Sequence, residues 1–413
     1  MLDTKKISPQ AKGLGKCDSD AWDILAEDVS LPVAVLYQDR IENNLNWMQK
    51  FSNASHVKLA PHGKTTMTPD LFEQQMNAGA WAMTFATAHQ VKVAYQHGVK
   101  RIIMANQLVG KQNMQIIADL LSNKDVEFYC VVDSVDNVDQ LGAFFKNSNL
   151  HLNILLEIGV SGGRCGCRST EQIDAVVQAI ANHEHLLLSG IEFYEGVIHG
   201  QNAESLIRTF LTYVIHLTHD LLANNKFSTT SVILTGAGSA WYDVVSDMFM
   251  NASLDEAIVP VIRPGCYIIH DTGIYQDAQN AVLSRSQIGC DLGGDLQSTL
   301  EVWAYVQSIP ESDLAVIGMG KRDVAFDDGM PTAELLFRPN GSEKKPKHID
   351  REWKVTAVMD QHAFLKFPQG ADIKVGDMIA FSTSHPCLTF DKWRNILMID
   401  QDYKVKEILP TYF

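Results

Sequence analysis

The stretch His56–Pro69, HVKLAPHGKTTMTP, reads as a strand, a short polar loop and the start of a helix. His56 to Leu59 alternate polar and apolar, as a buried strand does on entering a loop. Thr68 followed by Pro69 supplies a hydroxyl N-cap and a proline at the first helical position. Between them stands Lys64, flanked by Gly63 and Thr65. A lysine at the C-terminal mouth of a strand sits where α/β folds place their chemistry, and its amine can form a Schiff base. Taken alone, the same lysine also reads as a solvated loop residue.

Outward from this stretch a rhythm repeats. Strand-sized apolar runs occur at Val57–Ala60, Ala82–Ala86, Arg101–Ala105, Glu127–Val132, Leu152–Glu157, Leu187–Phe193, Ser231–Leu234 and Ile258–Ile262. Polar-faced helical stretches separate them, among them Leu71–Ala78, Gln112–Leu121, Glu171–Ala181 and Leu206–Ala223. Strict strand–helix alternation implies a parallel sheet. Eight units over roughly 210 residues predict an α/β fold with a closed (β/α)8 TIM barrel, and a doubly wound open sheet is the alternative. In a barrel the loops after the strands share one mouth. Those loops hold Lys64, Arg164, Tyr194 and two glycine turns: TGAGSAWYD at 235–243 and RPGCY at 263–267. Barrels bind phosphate on the loops after strands seven and eight, where bare backbone N–H groups meet the anion. The two turns therefore predict a phosphorylated ligand, or else two tight connections closing the barrel. They fit neither a Walker loop nor a dinucleotide fingerprint.

The flanks differ in texture. Residues 1–28 are polar and irregular and read as a wrapping or dimer-contact arm. Leu31–Tyr37 is a strand, and Arg40–Phe51 has helical spacing. Beyond about residue 275 short apolar runs alternate with turns such as Asp328-Gly329, Asn340-Gly341 and Gln369-Gly370. The expected division is an arm and strand at 1–37, the barrel at 38–272 and a C-terminal all-β domain at 273–413. In STSHPCLTFDKWR, residues 382–394, His385 and Cys387 stand two apart. On an extended segment both side chains point one way and can grip one ion, and imidazole plus thiolate suits zinc. Two protein ligands leave positions open, as a catalytic metal needs. A His and a Cys packed within a β domain would give the same spacing. Cys165-Gly166-Cys167 reads as barrel packing.

Composition excludes several classes. The formal net charge is -15 and the basic residues are scattered, which argues against a nucleic-acid partner. No apolar run approaches the ~20 residues of a membrane span, and the first residues lack a secretory apolar core. Seven cysteines, an odd number without framework spacing, predict reduced thiols and a cytoplasmic protein.

Together the motifs resemble the metal-activated pyridoxal-phosphate enzymes of D-amino acids, the D-serine dehydratase and D-threonine aldolase family, whose fold is that of alanine racemase. The resemblance runs from about Leu31 to Arg394. It rests on PHGKT around Lys64, EIGVSGGRCG around Arg164, GIEFYEG around Tyr194, TGAGS, RPGCY and HPCLTFDKW. It implies that Lys64 carries pyridoxal 5'-phosphate, that Arg164 contacts its phenolic oxygen and that Tyr194 lies against its ring. It implies that Gly236, Gly238, Ser239, Gly265, Cys266 and Tyr267 hold the phosphate, that His385 and Cys387 bind Zn2+ or another divalent metal, and that the chain forms a homodimer. The aldolases tend to carry Asp where Cys387 stands, so the thiolate points to the dehydratase branch. Ala60 and Thr66 depart from the familiar Arg and His of the dehydratase lysine loop. The implied reaction turns a D-3-hydroxy amino acid into a 2-oxo acid and ammonia. Retro-aldol cleavage to glycine and an aldehyde is the alternative, and so is a cofactor-binding protein without turnover.

Overall fold

Buried parallel strands are short apolar runs, and the computed structural model turns all eight of them into one curled sheet. It describes residues 11–13, 15 and 21–413; the rest of the expected N-terminal arm lies outside the described residues. After a first strand, β1 (Val33–Tyr37), and a helix at Gln38–Ala54 come β2 (Lys58–Leu59), β3 (Met83–Phe85), β4 (Arg101–Gln107), β5 (Glu127–Val132), β6 (Leu152–Ile158), β7 (Leu186–Phe193), β8 (Val232–Gly236) and β9 (Ile258–Ile262). Their order around the sheet is β2-β9-β8-β7-β6-β5-β4-β3, every pair parallel. The two ends meet. Trp81 N–H donates to the Leu59 carbonyl at 2.7 Å and Thr84 N–H to the Pro61 carbonyl at 2.8 Å. The sheet is thus a barrel, not an open doubly wound sheet.

Side-chain alternation fills it. Ala60, Ala82, Ile103, Tyr129, Val131, Leu155, Ile233 and Val261 form a separate buried cluster, while their sequence neighbours pack with the surrounding helices. The interior is therefore a packed core, and chemistry is left to the rim. Helix starts follow local rules. Thr87, Ser134 and Ser169 accept hydrogen bonds from the N–H three residues on.

The second unit is a mixed ten-stranded sheet. Its strands are β1 with β10 (Leu300–Glu311), β11 (Leu314–Ile317), β12 (Thr332–Phe337), β13 (Lys347–His348), β14 (Lys354–Val358), β15 (Ala363–Lys366), β16 (Met378–Ser382), β17 (Asn395–Ile399) and β18 (Val405–Pro410). β1 runs antiparallel to β10 and parallel to β17, so a strand before the barrel sits centrally among strands that follow it. Two helices, Ile274–Arg285 and Gln287–Leu292, occupy the stretch where helical periodicity fades. The first buries only Gln279 and Val282, too few to print an apolar stripe on the sequence. Among the described residues no helix is long and apolar enough to cross a membrane.

Candidate functional site

The lysine turn is built by packing. Ala60 N–H extends the β2–β9 pairing by donating to the Ile262 carbonyl at 2.9 Å. Gly63–Thr65 then forms one 3-10 turn that packs on Phe85, where a Cβ at Gly63 would stand 2.5 Å from the ring. Thr68 and Pro69 open the following helix as expected, but the Thr68 hydroxyl donates to the Thr66 carbonyl at 2.9 Å instead of capping. Lys64 is left exposed and borders a cavity of about 540 Å³ between the barrel mouth and the second domain.

Nine of the eleven singled-out residues line that cavity: Lys64, Arg164, Tyr194, Gly238, Ser239, Gly265, Cys266, His385 and Cys387. Gly236 lies below it, where a Cβ would enter the Phe193 ring. Tyr267 is buried beside it and its hydroxyl accepts from Gln75 Nε2 at 3.1 Å. Arg164 stacks over the Tyr194 ring, 4.7 Å from guanidinium carbon to centroid. Burial, and then the Glu195 carboxylate, raise the Tyr194 phenol above its ordinary range, so it stays protonated. Gly238 lets the ring approach, since a Cβ there would stand 3.0 Å from Tyr194 Cε2.

Several groups in and beside the cavity carry no site role in the sequence reading, and Cys165, which reads there as barrel packing, is one of them. Arg263 is buried in an ion pair with Glu192, and its Nε and Nη1 meet no hydrogen-bond partner. His62 is held well below the ordinary imidazole range by burial first, then by the Lys64, Arg263 and Arg164 cations, so it is neutral. Glu157 lies outside the lining, behind Arg164 and Cys165; it accepts from Gln107 Nε2 at 2.5 Å, and burial followed by Glu192 and Asp133 pushes its carboxyl up to about 8. Cys165 lines the cavity too, whereas Cys167 packs with its thiol on the Asp133 carbonyl at 3.4 Å. The glycine loop 236–239 is itself clasped. The buried Glu195 carboxylate accepts from the Ala237 and Gly238 N–H groups, and Ser239 Oγ accepts from Cys266 N–H at 3.2 Å.

On the opposite wall, Pro386 is helical and Cys387 opens a short turn, Cys387–Phe390, so the extended spacing argument for His385 and Cys387 does not hold locally. Both side chains nevertheless face the cavity. His385 Nδ1 bonds Asp327 Oδ2 at 2.6 Å and stands 3.3 Å from Asp328. That loop is pinned by Ser384 Oγ donating to the Gly329 carbonyl at 3.0 Å, and Gly329 takes φ +121, a conformation glycine adopts freely. The Cys387 sulfur stands 3.5 Å from Thr65 Oγ1 and 3.7 Å from the Cys266 sulfur.

The chemistry of the donor set fits the implied groups. A lysine amine, an unsatisfied buried guanidinium and two glycine loops share a cavity large enough for a substituted pyridine and a small amino acid. Beyond Lys64, His385 groups its donor atoms with Asp327 and Asp328, and the Cys266 and Cys387 sulfurs pair beside Thr65, so imidazole, carboxylate and thiol donors to a divalent metal all stand at or beside the cavity.

The comparisons agree with this architecture. The family model of the alanine racemase N-terminal domain matches residues 36–245, and that of the putative serine dehydratase domain matches residues 299–399. The chain belongs to the family built on the alanine racemase N-terminal domain, and its β domain is of the putative serine dehydratase type. It is 21% identical over 389 residues to a D-threonine aldolase of an Arthrobacter species, covering 92% of this chain and 91% of that one. It is 22% identical over 310 residues to a 3-hydroxy-D-aspartate aldolase of Paracoccus denitrificans, covering 74% and 75%. Among solved structures, D-threonine aldolase from Filomicrobium marinum superposes with a TM-score of 0.77 at 20% identity, covering 98% of each chain. D-threo-3-hydroxyaspartate dehydratase from Delftia sp. HT23 gives 0.73 at 17%, covering 94% and 99%. At these identities the structures establish the fold.

Proposed function

We propose that this protein is a pyridoxal-phosphate- and zinc-dependent lyase that converts a D-3-hydroxy amino acid, such as D-serine or D-threonine, to a 2-oxo acid and ammonia. The lyase class follows from its relatives, which include aldolases and a dehydratase. The observation that carries the reading is one cavity holding Lys64, two glycine loops and the His385–Cys387 pair. Bound there, pyridoxal phosphate supplies an electron sink for the α-carbon, and zinc supplies a Lewis acid for the β-hydroxyl.

The chain's own residues do the rest. Lys64 Nζ holds the cofactor and, once free, takes the α-proton from the one face it borders, so a single enantiomer reacts. Arg164 and Tyr194, stacked on each other, reach the cavity from the β6 and β7 loops and together border the ring position. Neutral His62 packs beside Lys64 without adding charge. Ser239, Gly265 and the Cys266 loop form the phosphate end, held in shape by Glu195. We further assign the protein to the cytoplasm as a homodimer; the free thiols at Cys130, Cys165, Cys167, Cys266, Cys290 and Cys387 support a reducing home.

Retro-aldol cleavage is the second reading, favoured by the near-complete span of the D-threonine aldolase relative. The test is a visible spectrum of the purified protein, then borohydride reduction and peptide mapping. Label on Lys64 supports the cofactor assignment; a colourless protein that takes up no pyridoxal phosphate overturns it. D-3-hydroxy amino acids are then assayed with and without a chelator. A 2-oxo acid plus ammonia supports the dehydratase, and glycine plus an aldehyde replaces it with the aldolase. Labelled protein with no turnover in zinc makes it a carrier.

A further inference from the structure

Cys266 follows β9 in the barrel, and Cys387 lies 121 residues later in the second domain, yet their sulfurs are 3.7 Å apart. Two thiolates bound to one zinc at about 2.3 Å and a tetrahedral angle stand ~3.8 Å apart. The observed separation matches that edge. The thiols share a third neighbour: Thr65 Oγ1 stands 3.8 Å from the Cys266 sulfur and 3.5 Å from that of Cys387. Thr65 follows Lys64, so the sulfur pair sits against the lysine turn, where a substrate oxygen would arrive.

We propose that Cys266 is a ligand of the same metal ion as His385 and Cys387, giving a two-sulfur, one-nitrogen site with one position open. This rests on the metal reading above. Three protein ligands with an open fourth position, two of them thiolates and one an imidazole, is a known catalytic zinc set. Asp327 occupies His385 Nδ1 and leaves Nε2 as the coordinating nitrogen, the carboxylate–histidine arrangement that orients metal-bound imidazoles. Asp327, Asp328 and His385 group their donor atoms within 4.8 Å, whereas His385 and the two sulfurs do not, so the imidazole turns toward the sulfurs on loading. Each thiol loses its proton to solvent as its zinc–sulfur bond forms. The backbone of Cys266 serves the phosphate loop through Ser239 while its side chain serves the ion. Two thiolates also select zinc over the hard ions magnesium and manganese.

Zinc-edge X-ray absorption of the reduced, cofactor-loaded full chain tests this without reference to activity. Two sulfur neighbours at about 2.3 Å are expected. Cys266→Ser should leave one sulfur and lower zinc affinity in chelator competition by more than ~100-fold, beyond what loss of an outer partner causes. Cys387→Ser should also leave one, so the count is readable even where one variant folds poorly. A single sulfur in the wild type, abolished by Cys387→Ser, overturns the role of Cys266 and leaves the metal reading standing. Zinc without sulfur neighbours, or no retained zinc, overturns both.

Discussion

The Glu195 carboxylate accepts hydrogen bonds from the backbone N–H groups of Ala237 and Gly238 at 3.0 and 2.9 Å. Ala237 holds φ +69, so this clasp keeps the β8 loop in a conformation that a non-glycine residue resists. Glu195→Gln retains the shape but cannot accept from both N–H groups with equal strength. Losing one buried hydrogen bond of this kind removes about 1–3 kcal/mol. Pyridoxal-phosphate affinity, read by fluorescence titration, should fall about tenfold, with a lower Tm. Unchanged affinity would show that the loop is held by other contacts.

Glu157 titrates inside the fold. Burial, then Glu192 and Asp133, raises its carboxyl to about 8 from an ordinary 4.5. A raised folded-state value means the native protein binds the extra proton. Its stabilisation is complete below pH 4.5 and disappears as pH rises through about 8. Glu157→Gln should flatten the fall in Tm between pH 5 and pH 8, and the variant should be the more stable protein at the alkaline end. Calorimetry across that window checks it; parallel Tm curves would refute it.

Arg263 and Glu192 form a buried pair at the barrel's upper rim. Removing one partner strands the other charge, at about 3–5 kcal/mol. Arg263→Met should therefore destabilise strongly in urea unfolding, and Arg263→Met with Glu192→Gln should recover most of the loss. Equal midpoints for the single and double variants would show that the pair does not act as a unit.

Asp327 meets His385 Nδ1 at 2.6 Å. Asp327→Asn removes the charge that orients the ring and should weaken zinc binding by about 10–100-fold. Protein-retained zinc after dialysis against a graded chelator reads this directly, and the cofactor absorbance should remain.

The barrel was legible because its strands are buried on both faces. Glu127–Val132 and Ile258–Ile262 appear with both ends as the sequence suggests, being apolar runs bounded by charge or turns. The helix at Ile274–Arg285 was not, because it buries too little to show a stripe. The cavity groups divide the same way. Lys64 and the two glycine loops announce themselves through local chain geometry. Asp327 reads only as the lead-in to a turn, since its partner is 58 residues away. The side chain of Cys266 is likewise silent: its loop is visible in sequence, but the facing sulfur comes from another domain. Contacts made across long separations leave no periodic trace.

The position of β1 has a consequence for how the protein comes into being. Val35 registers with Glu301 on one side and with Leu397 on the other. A chain emerging from the ribosome must therefore keep its first strand unmated until β10 has been made, and mated on one side only until β17 follows. The barrel can close earlier, but Cys387 and His385 reach its mouth only with that late sheet. Nascent or prematurely terminated chains would carry a finished lysine turn with no wall opposite it, and so would be without the second half of the site.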